Sequence, residues 1–400
     1  MSTYSSSGLF RRAKSIAGFG NFTGAARAAM LVVLVAALHA GSVIGAQAAS
    51  KHDAILKRIK LPPGFKISIF AEVPKPRSMV IGVPLGTVFV GSRHGTMHAL
   101  RDTNRDGVAD EIYKLASKLN VPNGVAFQDG ILFVAENNRV FRWAVPAEFD
   151  PTIPLMPQTR IPVFTKLPAK FLHGWRYAAF GPDRKLYVAV GAPCNICKVS
   201  GYEGTIIRMD ANGKNVEIFA RGVRNSVGFD WHPKTKQMFF TDNGADGMGD
   251  DTPADELNHV TKAGQHFGYP FTGGKSAKLT GMQNAKAPTG WRAPVIEFQA
   301  HSANLGIHFY RGSMFPAEYK NDAFVAQHGS WNRTKPVGYR IMRIRFNDKG
   351  EATGKEVFAS GWLKGDDAAG RPVDIKTMPD GSLLVSDDFA NVIYRISYSK

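Results

Sequence analysis

The alternation of apolar and polar positions repeats along the chain. Each repeat has an apolar strand, a turn resembling Pro-Asp-Gly, an alternating strand, a polar loop and a strand rich in arginine. The clearest copies cover residues 178–210 and 373–396. Alternation with a period of two predicts β-strands, and almost no segment of the predicted mature chain has the helical period. Weaker copies centre on Val88-Phe89-Val90, Leu132-Phe133-Val134, Met238-Phe239-Phe240 and Phe324-Val325.

These six copies predict an all-β fold, a six-bladed β-propeller. A small antiparallel sheet cannot bury its faces alone, whereas sheets packed radially cover one another. The early strand 65–70 has no hairpin partner nearby, so we expect this N-terminal strand to close the ring by joining the last blade. A two-sheet sandwich, the alternative, fits six such units poorly. The long segment 244–304 is expected to fold over one face as functional loops.

The N-terminus has the pattern of a Sec-type signal peptide. Residues 1–27 contain four basic residues and no acidic residue, an apolar run follows at 28–38, and Ala46-Gln47-Ala48 resembles a cleavage site. The apolar run is shorter than the roughly 20 residues that span a membrane. We therefore expect residues 1–48 to be a signal peptide, 49–62 a lead-in and 63–400 the propeller. The mature protein would be periplasmic or secreted and have no membrane span; an uncleaved anchor is the alternative.

Composition narrows the possible functions. The 26 Phe, 11 Tyr and 6 Trp exclude disorder as the main state, because these side chains need a core. The formal charge of +17 does not by itself select a partner. No nucleic-acid-binding module accompanies that charge, so nucleic acid is not an expected partner.

The two cysteines form a Cys-x-x-Cys motif, Cys194 and Cys197. So few cysteines exclude a disulfide-dense scaffold and a multi-cysteine zinc or iron–sulfur protein. Lys198 follows where a c-type haem motif requires histidine. In an exported protein we expect the pair to be a disulfide that closes a loop, with a redox-active pair as the alternative.

Candidate functional residues lie beside the predicted inner strands, because a propeller assembles its site from the loops of several blades. His173 precedes the third unit and has the chemistry of a general base. Arg224 and Asn225 precede the fourth unit, where an arginine can bind a carboxylate through two hydrogen bonds. Lys335 follows the fifth unit and Arg371 begins the sixth. The alternative for His173 is a structural histidine held by hydrogen bonds. The alternative for Arg224 is an arginine that pairs with an acidic neighbour on the channel wall.

Two acidic loops have residues of the kind that bind Ca²⁺. Segment 241–251 combines glycines with several aspartates and precedes Asp255-Glu256, and such oxygen-rich loops suit a cation with six to eight ligands. A solvated acidic turn is the alternative there. Segment 102–111 resembles the first half of an EF-hand loop, but Tyr113 occupies the position of the bidentate glutamate. An inter-strand turn is therefore the preferred interpretation of 102–111.

Five short motifs occur in a characteristic order. They are His173-Gly174 before a Phe-Gly-Pro-Asp strand, Arg224-Asn225, Asp242-Asn243-Gly244 with 255–258, Gly-Gln-His-Phe-Gly-Tyr-Pro at 264–270, and Gly-Arg-Pro-Val-Asp at 370–374. Together they resemble the soluble quinoprotein sugar dehydrogenases, the glucose/sorbosone dehydrogenase family, over residues 60–398. The resemblance implies a six-bladed propeller that binds pyrroloquinoline quinone (PQQ) and Ca²⁺ and oxidises a sugar or a sugar aldehyde such as sorbosone.

The resemblance also implies catalytic roles. His173 would take the proton of a sugar hydroxyl while hydride passes to the quinone. Arg224 would polarise the reactive quinone oxygen, with Asn225 bound beside it.

Further residues would hold the cofactors. The carbonyl oxygens of Gly244 and Ala245 would bind the Ca²⁺ that sits on PQQ. Lys335 and Arg371 would meet the carboxylates of PQQ, since a polyanionic cofactor needs cationic partners.

Three positions depart from the pattern of the glucose enzymes. Leu172 replaces an aspartate before the histidine, Pro122 replaces a glutamine beside Asn-Gly, and Val373 replaces a second arginine. Because these positions would surround the substrate, they point to a substrate other than glucose or to a lost activity. A Ca²⁺-dependent hydrolase of the lactonase type and a non-enzymatic binding propeller remain open, and the sequence does not specify the electron acceptor.

Overall fold

The computed structural model describes residues 52–82, 86–145 and 159–400. The predicted signal peptide, residues 1–48, lies outside the described residues. Among those described, no helix is long and apolar enough to cross a membrane. Helical structure is confined to short pieces such as residues 52–56 and the 3₁₀ turn Ala317–Tyr319.

Six sheets with mainly antiparallel pairing form the blades of a β-propeller, as predicted. Strand β1 (Phe65–Glu72) precedes the first blade. Blade 1 contains β2 (Pro76–Gly82), β3 (Thr87–Ser92), β4 (Met97–Arg101) and β5 (Glu111–Ala116). Blade 2 contains β6 (Gly124–Gln128), β7 (Ile131–Ala135), β8 (Val140–Ala144) and β9 (Ile161–Phe164). Blade 3 contains β10 (Ala178–Phe180), β11 (Leu186–Val190), β12 (Thr205–Met209) and β13 (Glu217–Arg221).

The second half of the ring has longer connections. Blade 4 contains β14 (Phe229–Trp231), β15 (Met238–Asp242), β16 (Asp255–Val260) and β20 (Ile296–Phe298), and β17 (Gln265–His266), β18 (Thr272–Gly273) and β19 (Ala277–Lys278) lie within its last connection. Blade 5 contains β21 (Asn304–Phe309), β22 (Ala323–Gln327), β23 (Arg340–Phe346) and β24 (Ala352–Ala359). A hairpin of β25 (Leu363–Lys364) and β26 (Asp367–Ala368) precedes blade 6, which contains β27 (Pro372–Thr377), β28 (Leu383–Asp387) and β29 (Val392–Tyr398).

The ring closes through its N-terminal strand, as predicted. Strand β1 pairs antiparallel with β29, from Phe65 opposite Tyr398 to Glu72 opposite Val392, and becomes the outer strand of blade 6. The Phe65 ring packs edge-on against Phe315, with ring centroids 4.7 Å apart. Closure thus pairs the two ends of the propeller within one sheet and leaves no unpaired strand between blades 6 and 1.

The core lies between neighbouring blades, which explains the apolar runs in the sequence. Every residue of β15 is buried. Adjacent side chains in a strand point to opposite faces, so Phe239 packs with Phe309 of blade 5 while Phe240 packs with Tyr187 of blade 3. The six apolar segments that defined the repeat are the second strands of the six blades. Each must be apolar on both faces because a neighbouring blade covers each face.

The segment 244–304 differs in part from the prediction. Strands β16 and β20 lie within it and form the outer half of blade 4, and β17 pairs in parallel with β13 of blade 3. Only the connections between these strands fold as loops. Buried polar residues, Asp255, Glu256 and Asn258, interrupt the apolar alternation of 255–260, so this strand did not match the repeat pattern.

The loop 102–111 forms a turn between β4 and β5. Asp110 accepts hydrogen bonds from the backbone N–H and the hydroxyl of Thr103, at 2.7 and 2.9 Å. Asp102 accepts from the backbone N–H of Gly107 at 2.9 Å. These carboxylates are engaged by the loop itself, which supports the inter-strand turn interpretation.

Candidate active site

The candidate site is a cavity at one end of the channel, where each inner strand begins and each second strand ends. Because neighbouring strands run antiparallel, these two kinds of loop meet at the same end of a blade. The cavity encloses about 370 Å³, within the range of small-ligand pockets. Its polar lining comprises Arg77, Arg93, His173, Arg224, Asn225, Asn243, Asp246, Asp255, His301, His328, Asn332 and Arg371.

Most of the predicted site residues converge on this cavity. His173, Arg224, Asn225, Gly244 and Arg371 line it. Those positions are widely separated in sequence and come from blades 3, 4 and 6, so the propeller brings them together.

Two predicted residues are placed differently. Ala245 is buried in an apolar cluster with Ala192 and Tyr269 beside the cavity. Lys335 is exposed and is not among the residues that line the cavity. The loop after β22 instead directs Trp331 and Asn332 to the cavity.

His173 is held in the tautomer of a proton acceptor. Its ring is buried, and its Nδ1 lies 2.8 Å from the carbonyl oxygen of Ala192. A carbonyl oxygen can only accept, so Nδ1 carries the proton and Nε2 keeps its lone pair. Gly191 makes room for this arrangement, since a Cβ there would lie 2.5 Å from the Cβ of His173.

Arg176 fixes the backbone of the His173 loop. Its buried guanidinium donates to three carbonyl oxygens, those of Asn137 at 2.9 Å, His173 at 3.0 Å and Pro168 at 2.6 Å. Burial lowers the pKa of Arg176 to about 10. The guanidinium therefore remains charged at pH 7. The three carbonyl oxygens take the place of water around it, and these bonds fix the loop.

Burial, with the positive charge of Arg224, lowers the pKa of His173 to about 3. Above pH 6.5 the ring is neutral in both the folded and the unfolded chain. As the pH falls below 6.5, the unfolded chain takes up a proton that the folded chain excludes, so the folded state loses stability until the pH approaches 3.

Between pH 7 and pH 5 this residue is therefore expected to remove about 2 kcal/mol from the free energy of unfolding of the cofactor-free protein. Denaturant unfolding at both pH values checks this prediction. The His173→Gln variant should lose about 2 kcal/mol less than wild type over that interval. The exposed His94→Gln variant serves as the control. An equal loss in wild type and His173→Gln would contradict the assignment.

Arg224 and Asn225 are held by a buried carboxylate. Asp242 accepts the backbone N–H of Arg224 at 2.7 Å and that of Asn225 at 2.6 Å. The Arg224 guanidinium donates to Asn195 O at 3.0 Å, Asn195 Oδ1 at 2.7 Å, Asn243 O at 3.1 Å and Asp246 Oδ2 at 2.9 Å. These bonds use four of the five N–H donors of the side chain, which leaves one to donate to a ligand in the cavity.

Buried acidic residues hold the loops rather than form a metal cluster. Asp255 accepts the backbone N–H of Gly244 at 2.7 Å and that of Ala303 at 2.8 Å. Burial raises the pKa of Asp242 to about 7, and burial together with the Asp242 charge raises the pKa of Glu256. Across residues 52–82, 86–145 and 159–400, no three His, Cys, Asp or Glu side chains are grouped to hold a metal ion.

The predicted disulfide is confirmed, and its loop reaches the site. Cys194 and Cys197 are joined, with Cα atoms 6.1 Å apart. Asn195 between them donates to the carbonyl oxygen of Asp246 and accepts from its N–H, both at 2.8 Å. Because Asn195 also binds Arg224, the closed loop orients two cavity residues. The Cys-x-x-Cys motif predicted the disulfide, but nothing in the motif indicated that its loop orients Arg224 and Asp246.

A charged network on the cavity wall was not predicted from the sequence. Arg77 Nη1 lies 3.0 Å from Asp388 Oδ2, and His328 Nε2 lies 2.7 Å from Asp388 Oδ1. Arg77 also donates to Asn123 Oδ1 at 2.9 Å. His328 and Asp388 follow the second strands of blades 5 and 6, so their position relative to the repeat was the signal that could have found them.

Several oxygen atoms at the cavity lack partners. The side-chain oxygens of Asn225, Asn243 and Asn332 are buried and accept no hydrogen bond. In the described part of the chain, no hydrogen bond reaches the carbonyl oxygens of Gly244 or Ala245 either. Buried acceptors of this kind need a donor or a cation. Together with the surrounding arginines, they suit an anionic ligand bound together with a cation.

The part of the chain that supplies most of the cavity residues matches a known family. Residues 163–395, more than half of the chain, match the family model described as Glucose / Sorbosone dehydrogenase. The chain belongs to the glucose/sorbosone dehydrogenase family. Membership places this protein among the sugar oxidoreductases. The chain is 39% identical over 360 residues to an uncharacterized protein of Borreliella burgdorferi. This match covers 87% of this chain and 93% of the relative.

Solved structures share the fold of this glucose/sorbosone dehydrogenase family member. The calcium structure of a Trichoderma reesei carbohydrate-active enzyme of family AA12 is 20% identical, with a TM-score of 0.75, over 85% of this chain and 97% of that one. The holo form of the pyranose dehydrogenase PQQ domain from Coprinopsis cinerea is 18% identical, with a TM-score of 0.70, over 85% and 97%. These similarities establish the propeller fold.

Proposed function

We propose that this protein is an exported quinoprotein that oxidises a sugar or a sugar aldehyde, with hydride transfer to PQQ and His173 as the general base. The observation that carries the proposal is the fixed imidazole at the cavity. Nδ1 of His173 is bound to Ala192 O, its Nε2 is the acceptor, and Arg224 lies in the same cavity lining. A sugar oxidoreductase needs such a base, because the oxidised hydroxyl loses a proton as its carbon loses hydride.

The cavity residues fit PQQ and Ca²⁺. Arg371 donates from Nε and Nη2 to the loop carbonyls of His328 and Gly329, which leaves Nη1 for a cofactor carboxylate. Arg77 is a second cationic candidate on the same wall. The carbonyl oxygen of Gly244, on the cavity lining, and that of Ala245, beside the cavity, would hold the cation. The names of the structural relatives, a PQQ domain and a calcium structure, agree with this choice.

The chain's own residues would orient the substrate and move the proton. When bound, PQQ supplies the hydride acceptor and Ca²⁺ increases its electrophilicity. His173 is neutral at pH 7 and would accept the proton of the hydroxyl at Nε2. Arg224, whose side chain is 5% exposed, would donate its remaining N–H into the cavity, where a hydrogen bond is stronger than in bulk solvent.

The apolar wall of the cavity supports a substrate less polar than glucose at its reacting end. Leu172 lines the cavity beside His173. Val373 packs with Val227 and Leu305, where an arginine would have made a polar surface. A sugar aldehyde of the sorbosone type has a carbonyl group in place of one hydroxyl, and we propose it as the substrate class. It would react as its hydrate or cyclic hemiacetal, in which the carbon that loses hydride carries the hydroxyl whose proton His173 accepts.

Reconstitution tests the proposal. The protein is purified from a periplasmic fraction, where its N-terminal residue is expected to be Ala49, and titrated with PQQ in the presence and absence of Ca²⁺. We expect a saturable absorbance change that requires Ca²⁺ and is altered by a sugar or sugar aldehyde, with reduction of an artificial electron acceptor. Arg371→Gln should weaken PQQ binding, whereas the exposed Arg345→Gln serves as the charge-matched control.

The alternatives give different results. A lactonase-type hydrolase would cleave lactones without PQQ, and a binding propeller would bind a ligand without turnover. No spectral change with PQQ and Ca²⁺ would reject the quinoprotein assignment.

A further inference from the structure

The mouth of the cavity concentrates exposed aromatic side chains. Among residues 52–82, 86–145 and 159–400, the exposed phenylalanine, tyrosine and tryptophan residues are Phe171, Trp331 and Phe389, which are 88%, 75% and 50% exposed. They come from three different blades, yet all three lie at this mouth, on the lining of the cavity or of the space outside it. Exposed apolar side chains that cluster in one patch indicate a binding surface for a ligand or a partner.

A second space adjoins the cavity on its outer side, and we call it the vestibule. It encloses about 490 Å³ and shares Arg93, Trp175, His328 and Arg371 with the cavity lining. Phe171 and Phe389 lie on its wall. The vestibule is therefore large enough for a small ring and is continuous with the site of the proposed oxidation.

The charge of the vestibule is not balanced. Lys75, Arg93 and His94 line it together with Arg371. Asp388 supplies the carboxylate on the vestibule lining. That carboxylate is already paired, with His328 Nε2 at 2.7 Å and with Arg77 Nη1 at 3.0 Å. A negative group that enters this space therefore meets cations whose charge the protein leaves partly unpaired.

Arg93 is the cation best placed to meet an incoming anion. Its side chain is 41% exposed, lies 3.7 Å from Asp388 Oδ2, and is stacked over the Trp175 ring with its guanidinium carbon 5.0 Å from the centroid. The ring orients the guanidinium without using its N–H donors. Those donors can therefore bind a carboxylate, for which the planar guanidinium has the matching geometry.

We propose that the vestibule is a subsite for a uronic acid residue of an acidic saccharide, whose neighbouring sugar enters the cavity to be oxidised. Arg93 and Lys75 would bind the carboxylate, and Phe171 and Phe389 would cover the apolar face of the sugar ring. This inference rests on the proposed function, since it names the class of substrate for that site. The vestibule is a concave space of about 490 Å³, which favours a small ligand over a protein partner that would need about 1,000 Å² of interface.

Two disaccharides that differ in one group test the subsite. In glucuronosyl-(1→4)-glucose and glucosyl-(1→4)-glucose the reducing sugar is the same, and only the carboxylate differs. With the PQQ- and Ca²⁺-loaded protein, we expect the acidic disaccharide to have a KM about tenfold lower at similar kcat, near the contribution of one charge-assisted hydrogen bond. The preference should largely disappear at about 1 M salt, where the screening length is about 3 Å.

Single substitutions separate the contribution of the Arg93 charge from that of the Phe171 ring. Arg93→Gln should abolish the preference for the acidic disaccharide, and Phe171→Ala should raise the KM of both disaccharides. Arg345→Gln, at an exposed position on the third strand of blade 5, should leave the preference unchanged. A binding readout that needs no turnover is calorimetry with methyl glucuronide and methyl glucoside. The glucuronide should bind about tenfold more tightly than the glucoside, and Arg93→Gln should abolish this difference.

The outcomes distinguish the two proposals. Equal kcat/KM for both disaccharides, with no glucuronide binding, would overturn the subsite and leave the oxidoreductase assignment standing. Glucuronide binding that depends on Arg93, with neither disaccharide nor a sorbosone-type sugar aldehyde oxidised, would support the subsite and reject the proposed function. If Arg93→Gln alters the rate with an acidic electron-acceptor protein but not the sugar preference, the vestibule is a protein docking surface and the subsite is rejected.

Discussion

Replacing His173 with glutamine is expected to lower kcat for sugar oxidation by about 10²–10⁴-fold, with little change in PQQ affinity or folding. The glutamine amide can still donate to Ala192 O, the acceptor now 2.8 Å from Nδ1, but it has no basic nitrogen to take the proton. The hydroxyl must then lose its proton to water, which reaches this buried position poorly. Steady-state kinetics with the reconstituted protein, together with a PQQ titration, measure the two effects separately.

The matched control for this prediction is Lys170→Gln, an exposed substitution in the same loop. It should retain the wild-type rate. If His173→Gln keeps the wild-type kcat while PQQ is bound and sugar is oxidised, another group removes the proton. His328, which follows the second strand of blade 5 and also lines the cavity, would then be the next residue to test.

Replacing Arg176 with methionine is expected to lower the free energy of unfolding by about 3–5 kcal/mol, since each buried acceptor left without its donor costs about 1–3 kcal/mol. The loss arises because three carbonyl oxygens lose their donor at once, those of Asn137 and His173, which are buried, and that of Pro168, which is partly buried. Denaturant unfolding measures this change. Arg345→Met, at an exposed arginine, should change stability by less than about 1 kcal/mol.

The same variant should also affect catalysis. Arg176 does not line the cavity, but it binds the backbone carbonyl of His173. A shift of about 1 Å in a catalytic group costs on the order of 10² in rate. We therefore expect kcat to fall in Arg176→Met under conditions where the protein is folded, with PQQ affinity largely retained. A stable variant with the wild-type kcat would show that Arg176 does not position the base.

The fold was largely readable from the sequence because its signal is local. A second strand such as 383–387 is apolar on both faces, since a blade packs against each face, and this property recurs in all six blades. The turn residues repeat with it, and Gly381 adopts a φ of +88° in its Pro-Asp-Gly turn, a conformation that favours glycine. Strand β16 escaped detection because Asp255, Glu256 and Asn258 interrupt its pattern.

The site was readable only where a motif surrounds the residue. His173, Arg224 and Arg371 each precede an inner strand and belong to short recognisable motifs, and the structure places all three on the cavity. Lys335 belongs to the polar loop 328–339, and nothing local indicates which of its side chains turns inward. The structure places Trp331 and Asn332 at the cavity instead, since Arg333 ties the loop to Asp251 at 2.8 Å.

By itself the sequence determined the repeat, the number of blades, the closing strand and the disulfide, because each depends on neighbouring residues or on a periodic pattern. Only the tertiary structure decided which polar residues share the cavity. Arg77, His328 and Asp388 are distant in sequence, and their hydrogen bonds arise from the ring that carries blades 1, 5 and 6 to one axis. The vestibule has the same origin, since its charges and aromatic rings are contributed singly by several loops. A property that depends on the sum of such distant contributions has no local pattern in the chain.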